Sequence, residues 1–391
     1  MKIAHIIKDE KFPDSAYEFF EAVVPGQSNY YLPGKKRIHH LEKIIPRRCS
    51  GLAFFSRKFI DEINSHDAVV FHSLDRFAIE VLARIRKNIV TVWIGMGYDY
   101  YDLISGERGN LLKPLTKKVS SKKSKMLRLS PVHLLKSVLL RFASLNHSKK
   151  KQLVKRINIF SPVLAQEHRV IHEIMGDPFP EYVKWNYGRI VDLVEGGFGD
   201  IKVKGVDILI GNSAAPTNNH LDTFELLLKI GLPEDARLIV PLSYGDQSYR
   251  DKVIAAGVEK FGDRFVPITD FLSMEEYVQL LSNCSSVIMN HLRQQAAGNI
   301  FIAYLLGAKV YLDPSNLLFD ELNGMGLAVG DLNSLTREQL KNDQVFDKDF
   351  FHKQRDSVRE QKNRSAFVSQ TENLISRIKI MSSELKMADG E

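Results

Sequence analysis

The chain has 391 residues, with 54 Lys and Arg against 47 Asp and Glu and only two cysteines. That length exceeds what one hydrophobic core ordinarily serves, so two domains are expected, and the composition excludes a disordered, fibrous or disulfide-framed chain. Cys49 and Cys284 have neither metal-like nor redox-like spacing, which points to a reducing compartment. The opening run 1–7 is too short for a signal peptide and is followed by Asp9 and Glu10, and no apolar run is long enough to span a bilayer, so a cytoplasmic location is expected.

The net charge of +7 is not spread evenly. Residues 113–156 hold fourteen Lys or Arg and no acid, leaving forty bases and forty-seven acids in the rest. One segment makes the protein basic.

Taken in order, residues 2–7 alternate as an opening strand, and Pro13-Asp14-Ser15 starts a helix reaching about residue 24. A strand is expected over 67–72, a helix over 75–86, and a strand over 89–93 that runs into Gly95-Met96-Gly97. Another strand covers 157–160, and Ser161-Pro162 opens a helix to about residue 175. Short apolar strands alternating with helices describe a doubly wound α/β domain. Residues 189–205, with Gly196-Gly197-Phe198-Gly199, read as a linker. A second alternation follows: strands at 207–210, 237–241, 265–267, 287–289 and 309–312, and helices at about 218–230, 247–261, 273–282 and 296–306. From Thr336 onward the chain is charged and helical, and 386–391 reads as a frayed tail. The expected organisation is a domain over 1–188, a linker over 189–205, a second domain over 206–335 and C-terminal helices over 336–391.

Within the basic segment, residues 133–142 set Leu134, Leu135, Val138, Leu139 and Phe142 on one helical face, with Lys136 and Arg141 off it. A basic amphipathic helix suits an anionic membrane surface. The plainer reading is a helix packed on its own domain beside a solvated charge run. Nucleic acid is disfavoured because the segment lacks interleaved aromatics.

Residues 287–313 form one βαβ unit whose helix is apolar on nearly every face. Such a helix is buried, and its N-terminus favours an anion. Arg293, Gln294 and Gln295 stand at that opening: a guanidinium suits a phosphate, and two amides suit a sugar or base edge. The competing reading is that Arg293 caps a strand or pairs with a surface carboxylate. A second site of this kind lies upstream, where a strand delivers Gly211, Asn212 and Ser213 to a helix that Thr217 or Asn218 could cap. Tyr244 ends the next strand on the same edge, placed to stack on a ring. Together these three loops suit a nucleotide diphosphate.

Gly211-Asn212-Ser213 with Asn218 and His220, Val240-Pro241 with Tyr244, and Arg293-Gln294-Gln295 with Gly298 together resemble the family 56 glycosyltransferases. Phe71-His72-Ser73, Trp93-Ile94-Gly95, Asp99 and Leu103-Ile104-Ser105-Gly106 extend the resemblance into the N-terminal half. The likeness covers most of 1–330 and is strongest over 206–312. The family's named activity is TDP-N-acetylfucosamine:lipid II N-acetylfucosaminyltransferase. That step adds 4-acetamido-4,6-dideoxygalactose to a polyprenyl-diphosphate glycan in enterobacterial common antigen synthesis, and many O-antigen transferases share the scaffold.

The resemblance implies a GT-B architecture of two Rossmann-like domains facing a cleft, with the nucleotide sugar on the C-terminal domain and the acceptor on the N-terminal one. It implies a peripheral enzyme on the cytoplasmic face of the inner membrane, with neither metal nor cofactor, and the chain has no Asp-x-Asp triplet to hold a divalent ion. Arg293 would stabilise the leaving diphosphate, Gly211, Asn212 and Ser213 would pass close to it, Asn218 would belong to the donor site, and Tyr244 would flank the nucleotide. Gln294, Gln295 and Asn299 would read the sugar, and Gly298 would belong to the same donor site. Two residues depart from the family pattern, Ala296 in place of Gly and Asn299 in place of Thr, and both lie at the donor turn. The basic insert is also longer than the family's equivalent. For activation of an acceptor hydroxyl the sequence offers Asp99, after a double-glycine turn expected to face a cleft, and His72, at a strand end; a retaining reaction needs neither. Two alternatives keep the donor site: a UDP-sugar transferase, or a non-catalytic nucleotide-sugar-binding scaffold at the membrane.

Overall fold

The structure, a computed structural model, describes residues 1–10, 12–34, 37–49, 56–105, 111–121, 147–187, 201–341 and 348–388. These form two compact units. The first holds the described residues of 1–106, 131–189 and 364–391, and the second those of 107–130 and 190–363.

The first unit is built on seven parallel strands: β1 (Ile3–Ile6), β2 (Ser28–Pro33), β3 (Arg47–Cys49), β4 (Ala68–Phe71), β5 (Val90–Ile94), β6 (Ile159–Ser161) and β7 (Glu181–Tyr182). Their order across the sheet is β3-β2-β1-β4-β5-β6-β7. β4 and β5 are buried along their whole length, and their runs Ala-Val-Val-Phe and Val-Thr-Val-Trp-Ile are what a parallel sheet covered on both faces requires. The helix Phe12–Val23 lays Phe19 and Phe20 inward. Ile3, Val70, Val92 and Trp185 share one core with Leu374, Ile375 and Ile378 of the long helix Arg364–Ala388.

The second unit repeats the plan with β8 (Asp207–Ile210), β9 (Leu238–Pro241), β10 (Phe265–Ile268), β11 (Cys284–Met289), β12 (Lys309–Leu312) and β13 (Val329–Asp331). The order is β10-β9-β8-β11-β12-β13, all parallel. The helix Ala297–Leu306 is buried from Ile300 to Leu306, as its all-round apolar sequence requires, and Gly307 ends it. Each large apolar side chain sequestered this way stabilises the unit by roughly 1.5–3 kcal/mol.

The expected division of the chain needs two corrections. Residues 111–121 belong to the second unit, not to the domain expected over 1–188. Asp222 accepts the Leu115 and Thr116 amides at the start of the helix Pro114–Ser121, and Lys252 donates to the Val119 carbonyl. The last helix returns to the first unit: Trp185 donates to the Thr371 hydroxyl, and Arg377 forms a two-pronged pair with Glu181. The strands β2, β3, β7 and β13 were not expected. β3, β7 and β13 are short and at or near sheet edges, and β2 is flanked by polar residues and Pro33, so pairing rather than pattern defines them. The amphipathic stretch 133–142 and the Gly-rich part of the expected linker lie outside the described residues. Among the described residues, no helix is long and apolar enough to cross a membrane.

Candidate functional site

In the second sheet the strand order reverses between β8 and β11, so the loops leaving their carboxyl ends diverge and open a crevice of the kind where α/β sheets bind ligands. The two stretches singled out in the sequence are those two loops. Gly211 leaves β8 at φ 66°, and a Cβ there would lie 2.7 Å from Asn218 Oδ1 and 2.8 Å from His220 Nε2. Only glycine fits.

Asn218 is the hub of this loop and is fully buried. Its Oδ1 accepts from the Asn212 amide (3.0 Å) and from His291 Nε2 (2.7 Å), while its Nδ2 donates to the Ser213 and Ala215 carbonyls. Because Oδ1 can only accept, His291 carries its proton on Nε2. Asn212 then reaches in both directions: Nδ2 donates to Tyr244 Oη at 2.8 Å, and Oδ1 accepts from Gln295 Nε2 at 2.9 Å. Gln295 Oε1 in turn accepts the Thr217 hydroxyl. One chain of bonds thus ties the loops after β8, β9 and β11. A parallel bridge between Ala214 and Gly245 closes the first two together, and Gly245 (φ 121°) permits it because a Cβ would fall 2.6 Å from the Ala214 carbonyl carbon.

The loop after β11 is held from below. Asn316 donates to the carbonyls of His291 (3.1 Å) and Arg293 (3.0 Å), and Asn219, itself left-handed at φ 53°, donates to the Asn290 carbonyl. Arg293 is half-buried, its Nη1 donating to the Gln294 carbonyl. The turn ends at Ala296 with φ 57°, immediately before the buried helix. This accounts for glycine in the family pattern there: the position is left-handed, and Ala296 bears a strain of about 1 kcal/mol that glycine avoids. Gly298 and Asn299 lie half-buried in the helix's first turn, where the backbone N–H groups have no preceding helical carbonyl to bond.

Charge around the crevice is controlled by burial and pairing. Burial drops His220 to about 3, and burial reinforced by the positive charge of Arg293 does the same to His291, so both are neutral at physiological pH. Burial raises the Asp313 carboxyl, but Lys113 at 2.6 Å together with Ser315 outweighs this and holds it below the usual range. What is left to meet a ligand is a set of neutral amides, one exposed tyrosine, a guanidinium and a helix N-terminus. Such a set binds and stabilises negative charge.

Residues 199–370 match the family described as 4-alpha-L-fucosyltransferase, glycosyl transferase group 56. In structure the chain is similar to HepE of Anabaena in complex with UDP and glucose, with TM-score 0.61 and 12% identity over 96% of this chain and 100% of that one. It is similar to sucrose-phosphate synthase of Thermosynechococcus elongatus, with TM-score 0.61 and 11% identity over 97% and 99% of the two chains. A third similar structure is the lipopolysaccharide outer core galactosyltransferase WaaB in its apo form, with TM-score 0.60 and 11% identity over 96% and 99%. At such identities the likeness is one of fold, the GT-B type with two parallel α/β sheets. The protein is a glycosyltransferase.

In the transferase's first unit, the two residues offered for proton transfer are placed differently from expectation. Asp99 does not stand exposed on its double-glycine turn; it is buried, and its carboxylate accepts from Trp93 Nε1 (2.8 Å), the Leu74 amide (2.9 Å) and the Met96 amide (2.8 Å). Burial pushes its carboxyl up, opposed by those donors. The turn after β5 folds around this carboxylate. His72 is also buried, with Nε2 facing His5 Nδ1 at 3.0 Å and Nδ1 bonded to the Tyr187 hydroxyl, and burial lowers it to about 3. Both residues belong to the first unit, and Arg293 belongs to the second.

Asn219, His291, Asn316 and the pair Lys113–Asp313 join the site without having been expected from the sequence. Asn219 and His291 carried a signal, since Asn218-Asn219-His220 and Asn290-His291 set polar residues where a strand or helix is otherwise apolar. Lys113 carried none, because its contact with Asp313 spans 200 positions of the chain.

Proposed function

We propose that the transferase moves a deoxyaminosugar resembling 4-acetamido-4,6-dideoxygalactose from a TDP donor to a polyprenyl-diphosphate-linked oligosaccharide during surface-polysaccharide synthesis, working at the cytoplasmic face of the membrane. The family match over 199–370 supports the sugar class. The observation that carries the reading is the crevice between β8 and β11, where Asn212, Thr217, Tyr244 and Gln295 form one hydrogen-bonded network beside Arg293 and the start of the buried helix. In this reading the diphosphate lies against Gly211, Asn212 and Ser213 and the N-terminus of the helix Ala297–Leu306, Tyr244 flanks the nucleoside, and Gln294, Gln295, Gly298 and Asn299 line the sugar. Charge on the departing diphosphate is stabilised by Arg293 and helix N–H groups, without a metal. The basic segment supplies the attraction to anionic lipid, at about 1 kcal/mol for each Lys or Arg close to the surface.

A UDP donor is the second reading, favoured by the HepE structures with UDP and with UDP-glucose. Thermal unfolding with TDP, UDP, GDP and CMP separates the two, since a ligand that binds only the folded state raises Tm with the logarithm of its excess over Kd. A selective rise with TDP supports the first reading and a selective rise with UDP the second. No rise with any nucleotide would overturn the assignment of the crevice as a donor site.

A further inference from the structure

The helix Pro114–Ser121 is seated on the second unit by contacts that lead back to the crevice between β8 and β11, and every residue concerned belongs to that unit. Lys113, the residue before this helix, is held twice. Its amide donates to Asn219 Oδ1 at 2.8 Å, and its Nζ lies 2.6 Å from Asp313 Oδ2. Both partners are buried, and the Lys113 side chain is itself only 20% exposed.

Each partner stands one step from the backbone of the loop that carries Arg293. Asn219 donates to the Asn290 carbonyl at 2.8 Å and to the Leu111 carbonyl at 3.3 Å. Asn290 is fixed a second time by its Nδ2, which donates to the Thr223 hydroxyl at 3.1 Å. Asp313 closes the turn at the carboxyl end of β12: its Oδ1 accepts the Ser315 amide (2.9 Å) and hydroxyl (2.6 Å), and its carbonyl accepts the Asn316 amide (3.0 Å). Asn316 is the residue whose Nδ2 holds the His291 and Arg293 carbonyls. Lys113 therefore reaches the loop 290–293 from two sides, through Asn219 and through the turn 313–316.

An exposed ion pair contributes little, because solvent screens it and holding a long side chain costs entropy. This pair is mostly withdrawn from water, and its carboxylate also orders a turn. The helix does not depend on the ammonium for its seat, since Asp222 accepts the Leu115 and Thr116 amides and Lys252 donates to the Val119 carbonyl. The ammonium acts instead on the turn.

Building on the reading of the crevice as a donor site, we propose that Lys113 and Asp313 are positioning residues for the nucleotide diphosphate. Their ion pair fixes the turn 313–316, and through Asn316 it holds the Arg293 backbone where the guanidinium meets the phosphates. Neither side chain touches the donor. Order set in advance contributes affinity by removing its entropic cost from the binding step.

The test uses the full chain, calorimetry with TDP, or with UDP where the nucleotide panel selects it, and the melting of each nucleotide-free variant. Lys113→Met keeps the aliphatic stem and removes the charge; it should weaken nucleotide binding about tenfold, as coupling between a site and its support typically does. Lys113→Arg keeps the charge and should restore most of the affinity. Asp313→Asn should weaken binding as Lys113→Met does. The double variant Lys113→Met/Asp313→Asn leaves no unpaired charge, so it should melt close to the parent while its affinity stays at the level of the single variants. A fall in Tm with parental affinity would make the pair merely structural and overturn the proposal. Asp313→Asn binding as tightly as the parent, or more tightly, would also overturn it, because the freed ammonium would then be acting on the ligand directly. If Arg293→Ala loses affinity and the Lys113 and Asp313 variants keep it, the donor site stands and only the positioning role falls. Failure of the parent protein to bind any nucleotide would overturn both.

Discussion

The two units share one topology and differ in what stands over the strand reversal. In the second unit the crevice between β8 and β11 is lined by amides and by histidines that burial keeps neutral, with Arg293 and a helix N-terminus as its positive features. In the first unit the crevice where the order reverses between β1 and β4 gathers Lys8, Glu10, Asp75 and Tyr98, and its buried histidines His5 and His72 lie beneath. The fold supplies the location twice, and the loops decide the chemistry. A neutral, donor-rich crevice suits a group whose charge must be stabilised.

The largest effect should come from removing the one guanidinium identified in the neutral crevice. Arg293→Ala is expected to lower turnover by about 10²- to 10³-fold while the protein stays folded. Near-parental turnover in a variant with an intact cooperative melt would equate the two crevices and remove Arg293 from the chemistry.

Asn218 tests how far the second crevice depends on its buried network. Asn218→Ala leaves the Asn212 amide, His291 Nε2 and two carbonyls short of a partner, at a cost of about 3 kcal/mol in unfolding free energy. Urea denaturation reads this directly, and a loss below about 1 kcal/mol would mean that water replaces the side chain.

The first unit contributes the larger pH sensitivity near neutrality. Glu167 is fully buried, accepts from the Tyr100 hydroxyl and the Leu164 amide, and is raised by burial to about 7. Its folded pKa exceeds the unfolded one, so its stabilisation is complete below about 4.5 and is lost as pH rises to about 7. Glu167→Gln should leave stability near pH 4.5 unchanged and raise it by roughly 3 kcal/mol at pH 8. Parallel stability curves for parent and variant across that window would show that Glu167 is not the group responsible. The neutral histidines act in the opposite sense: with folded pKa values near 3, His72, His220 and His291 contribute stability that is present above about 6.5 and declines as pH falls from there.

The smallest effect is expected at the exposed rim. Tyr244→Phe keeps the ring and loses the bond to Asn212, so nucleotide affinity should fall only about two- to fivefold by calorimetry, consistent with one hydrogen bond of roughly 0.5–1 kcal/mol. A hundredfold loss would move Tyr244 from the rim into the specificity-determining part of the crevice.

Much of this was legible in the sequence because it is local. The runs at 207–210, 287–289 and 309–312 are apolar enough to be buried strands, although the second begins three residues earlier at Cys284, the helix Ala297–Leu306 announces its burial by having no polar face, and Gly211 and Arg293 fall at strand ends by position alone. The sequence by itself therefore determined two α/β halves and the loops at which a ligand would be met, since hydrophobic period and glycine placement act over a few residues. Tertiary structure alone decided that residues 111–121 join the second unit, that the last helix completes the core of the first, and that Asp99 is enclosed by Trp93, Leu74 and Met96 instead of exposed. The same holds for the edge strands β3 and β7 and for the placing of Glu10, Asp75 and Tyr98 beside one another. These depend on contacts between residues tens to hundreds of positions apart, and burial, which sets the protonation of Asp99, His72 and Glu167, is a property of the packed chain that no local pattern records.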